Sequence, residues 1–185
     1  MTRGTRLLLA AIVAAVLAPA SPTHAAEATI GRLWGADRYA TAAAISQATF
    51  APGVPVAFVA TGQDFPDSLA GGPAAARLRA PMLLTLARGL PDATRAELSR
   101  LQPARIVILG GTTVVSPTVE AQLAAYTAGG VTRIAGADRY ATAAAVSAAY
   151  FPAGVPVAYV ATGATFPDAL TAGAAAAALG GPVLL

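Results

Sequence analysis

Two Asp-Arg-Tyr triplets carry the side chains of this chain that are best suited to binding chemistry. They are Asp37-Arg38-Tyr39 and Asp138-Arg139-Tyr140. An Arg guanidinium can donate two parallel hydrogen bonds to an anionic group, and a Tyr ring can stack on a sugar. An Asp before an Ala-rich segment also fits a helix N-cap, with Arg as its local ion-pair partner and Tyr as a packing residue. The residues alone leave both interpretations open.

A second paired motif places an aromatic ring and a carboxylate on either side of a proline. One copy has Phe65 and Asp67, and the other has Phe166 and Asp168. Each pair follows an apolar segment and precedes a helical one, which in an α/β sheet is a ligand-facing position. The alternative is that Phe packs beneath the loop and Asp caps the following helix.

Two further Arg residues, Arg32 and Arg133, precede the same turn in the two copies. Their position allows them to join the anion site of the triplets or simply to solvate the end of a strand. Together with the triplet Arg and Tyr residues and the Phe and Asp residues above, they complete the predicted ligand-binding set.

The residues that are missing limit the chemistry. The chain has no Cys and no Lys, and its one His is His24, near the N-terminus. Residues 1–25, which include His24, are predicted to be removed as a signal peptide. Ser-His-Asp and Cys-His catalysis, Schiff-base lysines and ordinary zinc sites are therefore excluded from the mature chain. A carboxylate pair, as in glycoside hydrolysis, remains, but Thr165 replaces Asp64 in the second copy, which weakens an Asp64–Asp67 pair. We predict no catalytic residue, no metal and no cofactor.

The whole chain is a duplication with a period of about 100 residues. Residues 35–44 return letter for letter as 136–145, and about two-thirds of the paired positions are identical. The first copy continues to about Gly130, whereas the second stops at Leu185. The sequence thus predicts a complete module over 30–130 and a partial module over 131–185. Repeated modules favour binding, because tethered sites gain avidity without new contacts.

The N-terminus has the pattern of a secretory signal peptide over residues 1–25. Arg3 and Arg6 precede a short apolar run, and small residues follow it. Cleavage there lowers the net charge from +3 to about +1. A nearly neutral mature chain with scattered Arg does not have the charge of a nucleic-acid binder. We expect an exported protein with no membrane association after cleavage.

Strand and helix signals alternate along the first module. Apolar segments at 32–34, 56–60, 81–85 and 106–109 predict strands, and the segments between them predict helices. Asp37 and Ser116 are placed as N-caps, and Asp67 is placed to cap the helix that runs through Leu78. Continuously apolar strands indicate an α/β fold whose mainly parallel sheet is covered by helices on both faces.

These motifs, in this order, resemble the cell wall binding repeat 2 family of Gram-positive bacteria. The match includes R-x-x-G-x-D-R-Y-x-T-A at 32–42, A-T-G-x-x-F-P-D-x-L at 60–69, A-P-x-L-L-T at 80–85 and I-x-I-L-G-G at 106–111. The resemblance implies a Toprim-like α/β fold. It also implies secreted modules that attach non-covalently to anionic secondary polymers or peptidoglycan-associated glycans of the cell wall.

The same resemblance implies three copies around a pseudo-threefold axis beside an effector domain such as an amidase or protease. This chain has about one and a half copies, so a homo-oligomer or additional repeat modules would supply the missing neighbours. The alternatives are an accessory or modifier partner of a wall amidase, a shortened array that folds poorly, and a carboxylate-based glycan hydrolase.

Overall fold

The computed structural model describes residues 30–185, so the predicted signal peptide lies outside the described part of the chain. Strands and helices alternate strictly in this range. The strands are β1 (Val56–Thr61), β2 (Met82–Thr85), β3 (Arg105–Leu109), β4 (Val131–Ile134), β5 (Tyr159–Val160) and β6 (Val183–Leu184). The helices are α1 (Arg38–Thr49), α2 (Pro66–Arg77), α3 (Asp92–Leu101), α4 (Pro117–Ala124), α5 (Arg139–Tyr150) and α6 (Pro167–Leu179). Between residues 30 and 185, no helix has the length and apolar character needed to cross a membrane.

The central sheet has four parallel strands in the order β2-β1-β3-β4. In its registers, Phe58 faces Met82 on one side and Val107 on the other, and Ile108 faces Arg133. Strand β4 comes from the second copy, yet it completes the sheet of the first. The opening strand of one copy is therefore part of its predecessor's sheet.

Helices cover both faces of this sheet and enclose two cores. On one face, Leu98 of α3 and Leu123 of α4 pack with Val59 and Ile108. On the other face, Ala74 of α2 packs with Phe58 and Val107, and Val146 of α5 joins the same core. The predicted α/β fold with a mainly parallel sheet is confirmed, and the second copy contributes a helix to the core of the first.

The second copy forms a smaller sheet in which β5 and β6 pair in parallel. Identical residues therefore have different surroundings in the two copies. Val59 is fully buried in β1, whereas its counterpart Val160 in β5 is 78% exposed. The described residues include no second-copy counterpart of α3, α4 or β3 to cover that face.

Local signals set most helix boundaries as predicted. Asp37 accepts a hydrogen bond from the Ala40 backbone N–H at 2.8 Å, and Ser116 caps α4 with Pro117 as its first residue. The prediction that Asp67 caps α2 is wrong. Phe65 occupies the N-cap without a side-chain hydrogen bond, and Asp67 lies within the first turn. Pro66 displaces the cap, because its fixed φ suits the first helical position.

The predicted strand over residues 32–34 does not form. Its second-copy counterpart, β4, exists because it pairs with β3 of the preceding copy. Within the described part of the chain, residues 32–34 have no such strand beside them, and Leu33 and Trp34 are exposed. A strand of this kind needs a neighbour to satisfy its backbone groups.

Candidate functional site

The candidate site lies at the carboxyl ends of the central strands, where the two copies meet. The loop after β1, the turn after β3 and the turn before α5 surround a depression of about 150 Å³. Thr61, Asp64, Asp67 and Arg139 line it together with backbone of Gly111 and Gly136. Ligands of open α/β sheets bind at this edge, because helix starts and loop N–H groups converge there.

Each Asp-Arg-Tyr triplet first organises its own turn. Asp138 accepts a hydrogen bond from the Ala141 backbone N–H at 2.8 Å, as Asp37 does from Ala40. Gly136 N–H donates to the Thr142 hydroxyl at 3.0 Å, closing the turn from the other side. The Asp residues of the triplets therefore act as helix caps, and both their copies do so with the same geometry.

The Arg and Tyr of each triplet hold the loop that follows the next strand. Arg38 Nη1 donates to the Gly62 carbonyl, and Arg139 Nη1 donates to the Gly163 carbonyl at 2.6 Å. The Tyr39 ring lies so close to Gly62 that an added Cβ would stand 2.6 Å from its Cε1 atom. The triplet thus packs directly against the A-T-G segment. The loop position must be glycine, because a side chain there would collide with the Tyr ring.

Arg139 also joins the two copies. Its Nη2 lies 3.5 Å from Asp64 Oδ2, and its guanidinium carbon lies 5.9 Å from the centre of the Phe65 ring. The rings of Phe65 and Phe166 meet edge to face at 5.9 Å. The structure therefore gathers three predicted residues, Phe65, Arg139 and Phe166, around Asp64.

Asp67 lies half-buried behind this cluster. Burial raises the pKa of its carboxyl, the nearby Asp64 charge raises it further, and Arg139 opposes both effects. A Cβ at Gly110 would collide with Asp67 Oδ2, so the positive φ of Gly110 and its lack of a side chain make room for the carboxylate. Asp168, the counterpart of Asp67, is exposed at the start of α6.

The two remaining Arg residues of the predicted set differ. Arg133 donates to the Gly110 carbonyl at 2.7 Å and forms an ion pair with Glu120 at 2.7 Å, which fixes β4 to the turn after β3. Arg32 is exposed and makes no ion pair or side-chain hydrogen bond within residues 30–185. Tyr140 is also exposed, with its ring against Gly163.

The depression continues along the carboxyl edge of the sheet. A second depression, lined by Arg38, Gly62, Gln63, Phe65 and others, shares Thr61 and Asp64 with the first. A third, at the turn after β2, shares Gln63 with the second and contains Leu86, Arg88 and Gly89. We call these three adjoining depressions the carboxyl-edge groove.

Sequence reasoning missed several residues of this groove. Because Thr165 replaces Asp64 in the second copy, the sequence argued against Asp64 as a catalytic acid. The same difference was the one signal that Asp64 makes a contact between the two copies. Gln63 and Arg88 had no sequence pattern to single them out. Among the described residues, no group of three or more His, Cys, Asp or Glu side chains is arranged to hold a metal ion.

Two packed copies of one α/β unit, with a groove at their shared edge, define a protein built from tandem repeats. The model of the family described as cell wall binding domain 2 matches residues 32–120 and 133–185. The chain belongs to this family, and the resemblance stated from the motifs is confirmed.

Curated relatives and solved structures agree with this assignment. The chain is 33% identical over 128 residues to N-acetylmuramoyl-L-alanine amidase LytC of Bacillus subtilis (strain 168), a match that covers 69% of the chain and 25% of that protein. It is 35% identical over 159 residues to the amidase enhancer of the same organism, covering 85% of the chain and 22% of that protein.

Cwp6 from Clostridium difficile superimposes with a TM-score of 0.77 and 31% identity, over 83% of the chain and 24% of Cwp6. Cwp8 from the same organism gives a TM-score of 0.75 and 31% identity, over 82% of the chain and 26% of Cwp8. The chain spans about a quarter of the length of each of these proteins.

Proposed function

We propose that this chain is an exported, non-catalytic protein of the cell surface that attaches non-covalently to an anionic polymer of the cell wall. The observation that carries the proposal is the carboxyl-edge groove, which crosses the sheet of the first copy and ends against the second. An extended groove made of several adjoining depressions suits a chain of sugar units better than a single small molecule.

The groove offers donors for such a chain. Arg38 and Arg139 each spend donors on a loop carbonyl, but a guanidinium has five N–H donors in a fixed fork. Loop backbone at Gly111 adds an N–H group at the end of a strand. Phe65 and the exposed Phe166 add apolar surface beside them. Attachment through these groups weakens as salt screens the charges.

The carboxylate-based hydrolase is less well supported by the geometry. Asp64 is engaged by Arg139 of the other copy, and the ion pair gives this carboxylate a role in joining the copies. The second candidate function is that of an accessory partner of a wall amidase, because one relative is named as an amidase and another as an amidase enhancer. In that case the chain would alter amidase activity on walls in addition to binding them.

A pull-down of the purified mature chain, from about Ala26, tests the proposal. We expect binding to intact Gram-positive walls, loss of binding after the anionic secondary polymers are removed, and progressive release as salt is raised. Equal binding to both wall preparations would contradict an anionic-polymer ligand. Zymography on the same walls should show no clearing by the chain alone, and a clearing zone would favour the hydrolase over the binding protein.

A further inference from the structure

The carboxyl-edge groove has two ends of opposite charge. At the end between the copies, three carboxylates, those of Asp64, Asp67 and Asp138, line the depression together with a single cation, Arg139. This end disfavours another anion, because carboxylates outnumber the cation. At the other end, the depression after β2 holds Arg88 and no acidic residue.

The guanidinium of Arg88 differs from those of the other Arg residues of the groove. Arg38 donates a hydrogen bond to the Gly62 carbonyl. Arg139 donates one to the Gly163 carbonyl and forms an ion pair with Asp64. Arg88 is exposed, and between residues 30 and 185 it has neither an ion-pair partner nor a side-chain hydrogen bond. Its full set of donors is therefore open to a ligand.

The backbone that carries Arg88 is nevertheless held firmly. The Leu86 N–H donates to the Gly89 carbonyl at 3.2 Å, and the Thr85 hydroxyl lies within hydrogen-bond distance of the Leu86 and Gly89 carbonyls, at 3.1 and 3.2 Å. The Ala87 N–H donates to the Gln63 side chain at 2.8 Å, and the Ala87 carbonyl accepts from Ser116 N–H at 2.8 Å. The turn is tied to the loop after β1 and to the start of α4, so binding costs little backbone ordering.

We infer that Arg88 is the main contact for the anionic groups of the wall polymer, while the end between the copies receives its hydroxyl-bearing sugars. The inference rests on the proposed function and gives the groove a direction. A phosphate and a carboxylate both match the fork of an Arg side chain, so the shared chemistry is a bidentate oxyanion.

The test measures the binding of Arg88→Gln to intact walls, with Arg79→Gln as the matched control. Arg79 is also exposed and unpaired within the described range, but it precedes β2 at the opposite edge of the sheet. Its φ of 49° is one that Gln102 adopts in this chain at 45°, so the control substitution is tolerated by the backbone. Circular dichroism confirms that both variants are folded.

We expect Arg88→Gln to bind about tenfold more weakly, as for the loss of one charge-assisted hydrogen bond, and to show a shallower salt dependence. Arg88→Lys should retain part of the affinity, and Arg79→Gln should match the unmodified chain. Competition by polyphosphate or by polygalacturonate distinguishes a phosphate from a carboxylate ligand, and the Arg88→Gln variant should lose sensitivity to the effective competitor.

Equal weakening by Arg88→Gln and Arg79→Gln would overturn the inference in favour of general charge attraction. Unchanged binding of Arg88→Gln to intact walls, with binding still lost on stripped walls, would overturn the inference alone. Absence of binding by the unmodified chain would overturn the proposed function and the inference together.

Discussion

Arg139 of the second copy lies 3.5 Å from Asp64 of the first, whereas its first-copy counterpart Arg38 has no acidic partner among the described residues. Both Arg residues hold the loop of their own copy through a carbonyl, so the Asp64 contact is an addition made only across the junction. The second-copy counterpart of Asp64 is Thr165, so within residues 30–185 this ion pair forms once, at the junction of the two copies.

Replacing Asp64 by Asn should lower stability only slightly, by less than about 1 kcal/mol, because both partners are partly exposed to solvent. Urea unfolding at low and high salt measures the effect, and the difference from the unmodified chain should shrink as salt rises. Asp92→Asn is the control, since Asp92 is fully exposed in a longer contact with Arg95. A loss of several kcal/mol at Asp64 would show that the pair is buried.

The counterpart residues Val146 and Ile45 should respond differently to truncation. Val146 is 1% exposed in the core shared by the two copies, and Ile45 is 46% exposed. We expect Val146→Ala to lower the free energy of unfolding by about 2 kcal/mol and Ile45→Ala by under about 1 kcal/mol. Similar losses at both sites would contradict the packing of α5 against the first copy.

The glycine of the A-T-G segment should not tolerate a side chain. An Ala at position 62 would place its Cβ against the Tyr39 ring, and such over-packing costs about 1–3 kcal/mol. Gly72→Ala is the control within α2, where an added Cβ meets no atom within 4 Å. That variant should be about 0.4–1 kcal/mol more stable than the unmodified chain. Thermal melts followed by circular dichroism compare the two, and a stable Gly62→Ala would refute the contact.

A buried carboxylate fixes α3 to the end of α1. Glu97 is fully buried, accepts a hydrogen bond from the Ser46 hydroxyl, and forms two hydrogen bonds with Arg100 at 2.7 and 2.9 Å. Arg100 also donates to the Phe50 carbonyl at 2.8 Å. Glu97→Ala should cost about 3 kcal/mol or more, because it leaves Arg100 without its partner. Urea unfolding measures the loss, and Glu97→Gln should lose less.

The same carboxylate predicts a pH dependence of stability. Burial alone would raise the pKa of Glu97, but the hydrogen bonds of Arg100 and Ser46 and the Arg100 charge outweigh it and lower the pKa below 4.5. Between the lowered pKa of the folded chain and the ordinary pKa of the unfolded chain, the folded chain binds fewer protons, so its stability rises with pH. The contribution is complete above about pH 4.5 and disappears as pH falls through the lowered pKa. Unfolding curves from pH 3 to 7 should show this loss in the unmodified chain and not in Glu97→Gln.

Features that depend only on residues close together in the sequence could be predicted from it. The caps Asp37 and Ser116, the glycine turn after β3 and the apolar strands follow from local chemistry, and the repeat follows from simple comparison. The cap at Asp67 was misjudged because Pro66 competes for the same helix start. The loop after β1 and the turn after β3 were predicted to lie at the carboxyl edge of the sheet and do so, since that edge is set by the order of strands and helices.

The sequence by itself determined the α/β alternation, the duplication, the family and the chemical limits set by an absence of Cys and Lys. Only the tertiary structure decided which copy of an identical segment is buried. Residues 38–44 and 139–145 are the same letters, yet α5 packs on α2 of the other copy while the corresponding face of α1 is exposed around Ile45. Contacts between distant segments decide which copy is buried, where the Asp64–Arg139 pair forms and why β4 joins the first sheet. Two identical local sequences cannot differ in these respects by themselves, because the difference comes from the segments that pack against them.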